Sequence, residues 1–130
     1  SLDEAAAQIR AINEIAFPGR DQDFWRLFAS RTFRRSADGR LVLDYDRLIG
    51  RALFEAEPLG DLWPVFAKLA GKPTLIVRGA ISDLLTPPIV DKMRLAVPGI
   101  RIAEVPNVGH APTLSEAEAA RAITDLVKAV

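Results

Sequence analysis

At Pro73 the chain changes its period. Before that point apolar residues recur every three or four positions; after it, Thr74-Leu75-Ile76-Val77 runs apolar without a break and leads through Arg78-Gly79 to an acid, Asp83. A run apolar on both faces suits a central strand of a covered parallel sheet. Thr86-Pro87-Pro88 then starts a helix with Ile89, Val90, Met93 and Val97 on its apolar face, and Pro98-Gly99 ends it. Ile100 to Val105 reads as a second strand, placed nearer an edge by Arg101 and Glu104. Strand, helix and strand in that order imply a right-handed crossover and a parallel pair. Ser115 with Glu118 forms a capping box for a last helix carrying Ala119, Ile123, Leu126, Val127 and Val130.

A central strand needs a neighbour on each side, and this sequence offers one. Leaving Leu75, Ile76 and Val77 wet would forgo roughly 1.5 to 3 kcal/mol apiece, beside an unpaired backbone edge. The expectation is a sheet completed from outside this sequence, or self-association through the exposed strand.

The first part of the chain is helical. Ser1 and Glu4 make a capping box, and Leu2, Ala5, Ile9, Ile12 and Ala16 follow at helical spacing until Pro18-Gly19. Asp21 caps a second helix with Phe24, Trp25, Leu27 and Phe28 in one stripe, which is either core or the lining of a substrate pocket. Asp38-Gly39, between Phe33-Arg34-Arg35 and Leu41-Val42-Leu43, signals a short hairpin. Arg31, Arg34, Arg35 and Arg40 gather there, but Asp38, Asp44 and Asp46 lie close enough in sequence to make a mutually paired surface the better reading than an anion site. A short helix with Leu48, Ile49, Ala52 and Leu53 starts at Asp46 and breaks at Glu57-Pro58-Leu59-Gly60. Another, capped by Asp61 and closed by Gly71, turns Trp63, Phe66, Ala67 and Leu69 inward. The division is thus 1–71, helical, and 72–130, strand and helix.

Composition removes several function classes. Lys plus Arg and Asp plus Glu number 17 each, so no net field draws the chain to nucleic acid or an anionic membrane. There is no cysteine and one histidine, so neither a disulfide framework nor an ordinary zinc site is expected, and no cofactor is implied. No apolar stretch is long enough to span a bilayer, and no signal-peptide pattern is present, which favours a soluble, cytoplasmic protein with a small-molecule substrate. The chain opens on Ser1-Leu2-Asp3-Glu4, as removal of an initiator Met or excision from a longer protein would leave it.

Asp83 and His110 both fall just past strand C-termini, where open parallel sheets place their sites. An acid bonded to one ring nitrogen fixes the imidazole tautomer and leaves the other nitrogen as general base. Pro73-Thr74-Leu75-Ile76-Val77-Arg78-Gly79, Ser82-Asp83 and Val105-Pro106-Asn107-Val108-Gly109-His110-Ala111-Pro112 together resemble the penultimate strand with its acid and the last strand with its histidine in the α/β-hydrolase superfamily. Leu2 to Leu69 is similar to that family's helical cap, with Tyr45-Asp46 and Asp61-Leu62-Trp63-Pro64 similar to cap and post-cap segments of bacterial members. The resemblance implies a fold class of α/β: a helical cap segment, then a β-α-β-α unit with a two-stranded parallel sheet, a fragment of an α/β-hydrolase fold. It implies Asp83 and His110 as catalytic acid and base. Phe24, Trp25 and Trp63, with Leu84 and Ala111 beside the two catalytic candidates, are the substrate-binding candidates.

The family orders its triad as nucleophile, acid, histidine, with the nucleophile in a G-x-S-x-G turn. Ser1, Ser30, Ser36, Ser82 and Ser115 all lack the flanking glycines, so the nucleophile, Ser or Asp, is expected upstream and this polypeptide alone is expected to be inactive. The alternative is a non-catalytic hydrolase-like binding or partner module in which Asp83 and His110 are vestigial.

Overall fold

The change of character at Pro73 is also a change of structure. In a computed structural model, which describes residues 1–46, 48–57 and 59–129, the chain forms two compact units, Ser1–Pro58 and Leu59–Val130. Residues 59–71 cluster with the strands that follow them.

In the first unit, α1 (Leu2–Asn13) begins with the capping box of Ser1 and Glu4, and α2 (Gln22–Thr32) begins at Asp21, whose Oδ1 accepts the Phe24 N–H at 2.8 Å. The two helices pack through Ala5, Ala6 and Ile9 on one side and Trp25 and Ala29 on the other. Small residues on α1 make room for the Trp25 ring, which is enclosed by Phe17, Phe24 and Phe28 at centroid distances of 6.4, 5.0 and 6.2 Å. The α1 apolar face is shorter than its periodicity implied, because the helix stops at Asn13 and leaves Ile12 75% exposed. Leu27 likewise faces outward from α2, on the side away from Trp25 and Ala29. The hairpin forms as expected: β1 (Phe33–Arg35) pairs antiparallel with β2 (Leu41–Leu43), with Arg34 opposite Val42. Two of its arginines are paired at the surface, Arg34 with Asp44 at 3.2 Å and Arg40 with Asp38 at 2.6 Å. The short helix α3 (Leu48–Glu55) follows Asp46, whose Oδ1 accepts the Leu48 N–H, and it exposes Leu48, Ile49 and Phe54. Pro58, within the break expected after it, lies outside the described residues.

The second unit opens with α4 (Trp63–Phe66), which tightens into a 3-10 turn at Ala67–Leu69. Asp61 accepts the Trp63 N–H at 3.0 Å, though Leu62 is the cap residue. Trp63, Phe66 and Leu69 are half-buried; Ala67, expected inward, is exposed because the tighter turn rotates it out of that stripe. Strand β3 (Leu75–Gly79) pairs parallel with β4 (Arg101–Val105), in a register that sets Ile76 beside Ile102 and Arg78 beside Glu104. Between them runs α5 (Pro87–Ala96), with Pro87 and Pro88 in its first turn and Val90 and Val97 buried. Gly99, at φ +87°, supplies the left-handed turn back into β4. The last helix, α6 (Ala117–Lys128), packs on both strands through the buried Ala119 and half-buried Ile123 and Leu126.

Two expectations for α6 are corrected. Ser115 does not cap it: the Ser115 hydroxyl bonds Thr113 Oγ1 at 2.7 Å, and Glu116 is the cap residue. Val127 is exposed, one position off the stripe of Ala119, Ile123 and Leu126. Val130 lies outside the described residues. Leu75, Ile76 and Val77 are only half-buried, and among the described residues β3 is bonded along one edge, to β4. No described helix is long and apolar enough to cross a membrane.

Candidate active site

Asp83 and His110 lie on the two loops that leave the C-terminal ends of β3 and β4. The loops are joined backbone to backbone. Ala80 N–H donates to Val105 O at 2.8 Å, and Ile81 N–H donates to Val108 O at 3.1 Å, so the two loops are bonded to each other just beyond the strands. Gly79 makes this approach possible: a Cβ there would run into the backbone carbonyl oxygens of Val108 and Gly109. Any larger residue would force the loops apart, since backbone atoms cannot swing aside as a side chain can. The acid-bearing and histidine-bearing segments are therefore neighbours by construction.

Within the first loop, Ser82 is buried and its hydroxyl accepts the Leu85 N–H at 3.0 Å, while its own N–H returns to Gly79 O at 3.0 Å. Ser82 thus shapes the turn, and its side chain is directed to backbone. Asp83, next in sequence, is exposed, as are Leu84 and His110 with the adjoining Ala111. No hydrogen bond or ion pair joins Asp83 to His110 among the described residues.

The second loop turns at Asn107, whose φ of 55° is one of the few left-handed conformations a short polar side chain tolerates. It then buries Val108 and Gly109 and presents His110 outward. Past His110 the segment is held by Glu116, whose Oε1 accepts both the Thr113 N–H at 3.0 Å and the Thr113 hydroxyl at 2.9 Å. Burial pushes the Glu116 carboxyl up, but the hydrogen bonds from the Thr113 backbone and hydroxyl and from the Glu116 and Leu114 backbone together outweigh it and hold the group below the ordinary glutamate value.

Trp25 has no exposed surface and is a core residue of the first unit, with Phe24 half-buried beside it. Trp63 stacks edge-on with Phe66, and the Lys92 ammonium sits 4.1 Å from its ring centroid. Two residues that pattern-reading passed over belong to the site's framework: Gly79, for the close approach, and Arg78. Arg78 is 4% exposed, donating Nε–H to Leu85 O at 2.9 Å and Nη2–H to Ala80 O at 3.3 Å, and bonding Glu104 through Nη1. The register signal was present, since Arg78 and Glu104 each stand one residue before the end of their strand.

The fold is that of solved hydrolases. No family model matches the chain. It aligns with an alpha/beta hydrolase from Novosphingobium aromaticivorans at a TM-score of 0.89 and 34% identity, over 100% of this chain and 46% of that one. An esterase from Mycobacterium tuberculosis shares the fold at a TM-score of 0.64 and 23% identity, over 99% of this chain and 42% of its own. In sequence, 76 residues, 58% of this chain, are 48% identical to the 3-hydroxybutyrate-oligomer hydrolase of Cupriavidus necator, of which they make up 25%. The chain resembles the α/β-hydrolase superfamily and carries a part of its fold. It spans less than half the length of the solved hydrolase and a quarter of the curated one.

Proposed function

We propose that this chain supplies the acid and the histidine of a nucleophile–acid–histidine hydrolase whose nucleophile lies outside the sequence. Asp83 orients and charges-balances His110, and His110 acts as general base. The observation that carries this reading is the pair of backbone bonds, Ala80 to Val105 and Ile81 to Val108, that joins the loops bearing the two residues. In the chemistry this implies, the nucleophile attacks an ester, thioester or activated carbon–carbon bond while its proton passes to His110 Nε2. The imidazolium then gives that proton to the leaving group; next, it accepts a proton from the water that cleaves the covalent intermediate. Leu84 and Ala111, exposed beside Asp83 and His110, are the first side chains we assign to substrate contact. The name of the Cupriavidus relative makes a short hydroxy-acid ester the first substrate to assay. We assign the first unit the role of a helical cap, and the free edge of β3 to the remaining sheet of the same fold.

Two measurements test this. The coding sequence before Ser1 should hold a G-x-S-x-G; an acid at the same turn would redirect the chemistry toward an aspartate nucleophile, and neither would favour a binding module. In the complete protein, His110→Ala and Asp83→Asn should each lower kcat by about 10³ to 10⁴, on the scale of other triads, with the fold intact by circular dichroism. Wild-type turnover in either variant removes that residue from the mechanism.

A further inference from the structure

Arg78 is a charged residue in an apolar strand, and burying a guanidinium is costly unless its donors are met. Here all three of its nitrogens find acceptors, and the acceptors are not random. Leu85 O and Ala80 O bracket the segment Ile81–Leu84 that contains Asp83, one on each side. The third acceptor, Glu104, stands on β4, one residue before Val105 and six before His110. A single rigid group thus bonds both ends of the acid's loop and the strand that leads to the histidine. Glu104 is 58% exposed and could be hydrated in any case, whereas the two carbonyls are held by a side chain that is almost wholly buried. The planar fork of Arg can serve three directions at once; a Lys ammonium on its flexible stem cannot reproduce that geometry.

We propose that Arg78 is a positioning residue, fixing the Ile81–Leu84 segment so that Asp83 is delivered to His110. This deepens the catalytic assignment of Asp83 and His110 and, for its effect on turnover, rests on it. If Arg78 acts through Asp83, its loss matters only while Asp83 is there to be positioned. Residues that work through one another are non-additive, whereas a general loss of stability adds to whatever else is changed.

The experiment is a double-mutant cycle in the complete protein with Arg78→Met, Asp83→Asn and the double variant, assayed on a p-nitrophenyl ester. Arg78→Met should lower kcat at least tenfold with KM within twofold of wild type, and should cause less than a twofold further loss in the Asp83→Asn background. A full tenfold loss in both backgrounds would overturn the proposal. If Arg78→Met does not fold, Arg78→Lys takes its place, with an expected loss of at least threefold confined to the Asp83 background; wild-type kcat in Arg78→Lys would equally overturn it. Amide hydrogen exchange separates this proposal from the catalytic reading beneath it. Arg78→Met, or Arg78→Lys in its place, should speed exchange at Leu85 at least tenfold while Arg101 and Ala103, whose amides face β3, keep their protection. Unchanged exchange at Leu85 would sink the positioning role even if Asp83 proved catalytic. Accelerated exchange with a wild-type rate in Asp83→Asn would instead retain the clamp on the loop and remove Asp83 from the chemistry.

Discussion

The chain uses arginine in two ways. In the β1–β2 hairpin, Arg34 and Arg40 lie at the surface and meet carboxylates that are themselves about half exposed, at 3.2 and 2.6 Å. At the end of β3, Arg78 is buried, and two of its three partners are backbone carbonyls in a loop it does not belong to. The first kind of contact exchanges one hydrated arrangement for another and contributes little; the second leaves unmatched polar groups if it is broken. Charge and residue type are the same in the two places. What differs is whether water can take over the lost bond, and that is fixed by the packing around Gly79, Val105 and Val108 rather than by the arginine.

The largest effect should therefore come from a residue with no charge. Gly79→Ala puts a methyl group against the Val108 and Gly109 carbonyls, which are backbone and cannot turn away. A loss of about 3 kcal/mol is expected, at the upper end of the range for overpacking, measured as a shift of the urea midpoint at constant slope. The same variant should separate the loops carrying Asp83 and His110. A stability change under about 0.5 kcal/mol would mean that the two loops tolerate separation and that their joining is incidental.

A middle-sized effect is expected past His110. The Glu116 carboxylate is held below its ordinary value, so its contribution is present above the unfolded glutamate pKa of about 4.3 and is lost as pH falls through the lower, folded value. The group is only partly buried, which limits the contribution to about 1 kcal/mol or less. Thr113 amide exchange, corrected for its intrinsic pH dependence, should be steady from neutral pH down to about 5 and lose protection below the ordinary glutamate range. In Glu116→Gln that acid-dependent loss should vanish. Persistence of the same transition in the amide variant would assign it to another carboxylate.

How much of this was legible beforehand follows the range of the interactions. The strand–helix–strand unit, the hairpin at Asp38-Gly39 and the Ser1 and Asp21 caps depend on residues within a few positions of one another, and each formed where its local chemistry indicated. Apolar faces were less secure at their ends: Ile12 and Val127 continue a period in sequence but project where the neighbouring element no longer covers them. The Ser115 cap failed through competition, because Thr113 took the hydroxyl and Glu116 took the cap position. For the site, the loop positions of Asp83 and His110 could be read from the strand ends, but the clamp on Asp83's loop could not. Arg78 is a polar interruption in a hydrophobic run until its partners, Leu85 O seven residues on and Glu104 on the next strand, are brought together by the fold.

The smallest effect returns to the hairpin. Arg34→Ala and Arg40→Ala should each cost about 0.2 to 1 kcal/mol, as exposed ion pairs do, and the two losses should shrink when the salt concentration is raised to 1 M, where the screening length falls to about 3 Å. Arg35 offers an internal contrast, because it donates to Gly39 O at 3.1 Å within the turn and has a carbonyl rather than a carboxylate as partner. Its replacement by Ala should show the same small loss with a weaker salt dependence, since its bonded partner carries no charge to screen. Thermal melts of the three variants at low and high salt distinguish the cases. A loss above about 2 kcal/mol at Arg34 or Arg40, insensitive to salt, would mean that water does not replace these bonds, and the hairpin arginines would then belong with Arg78 instead of standing against it.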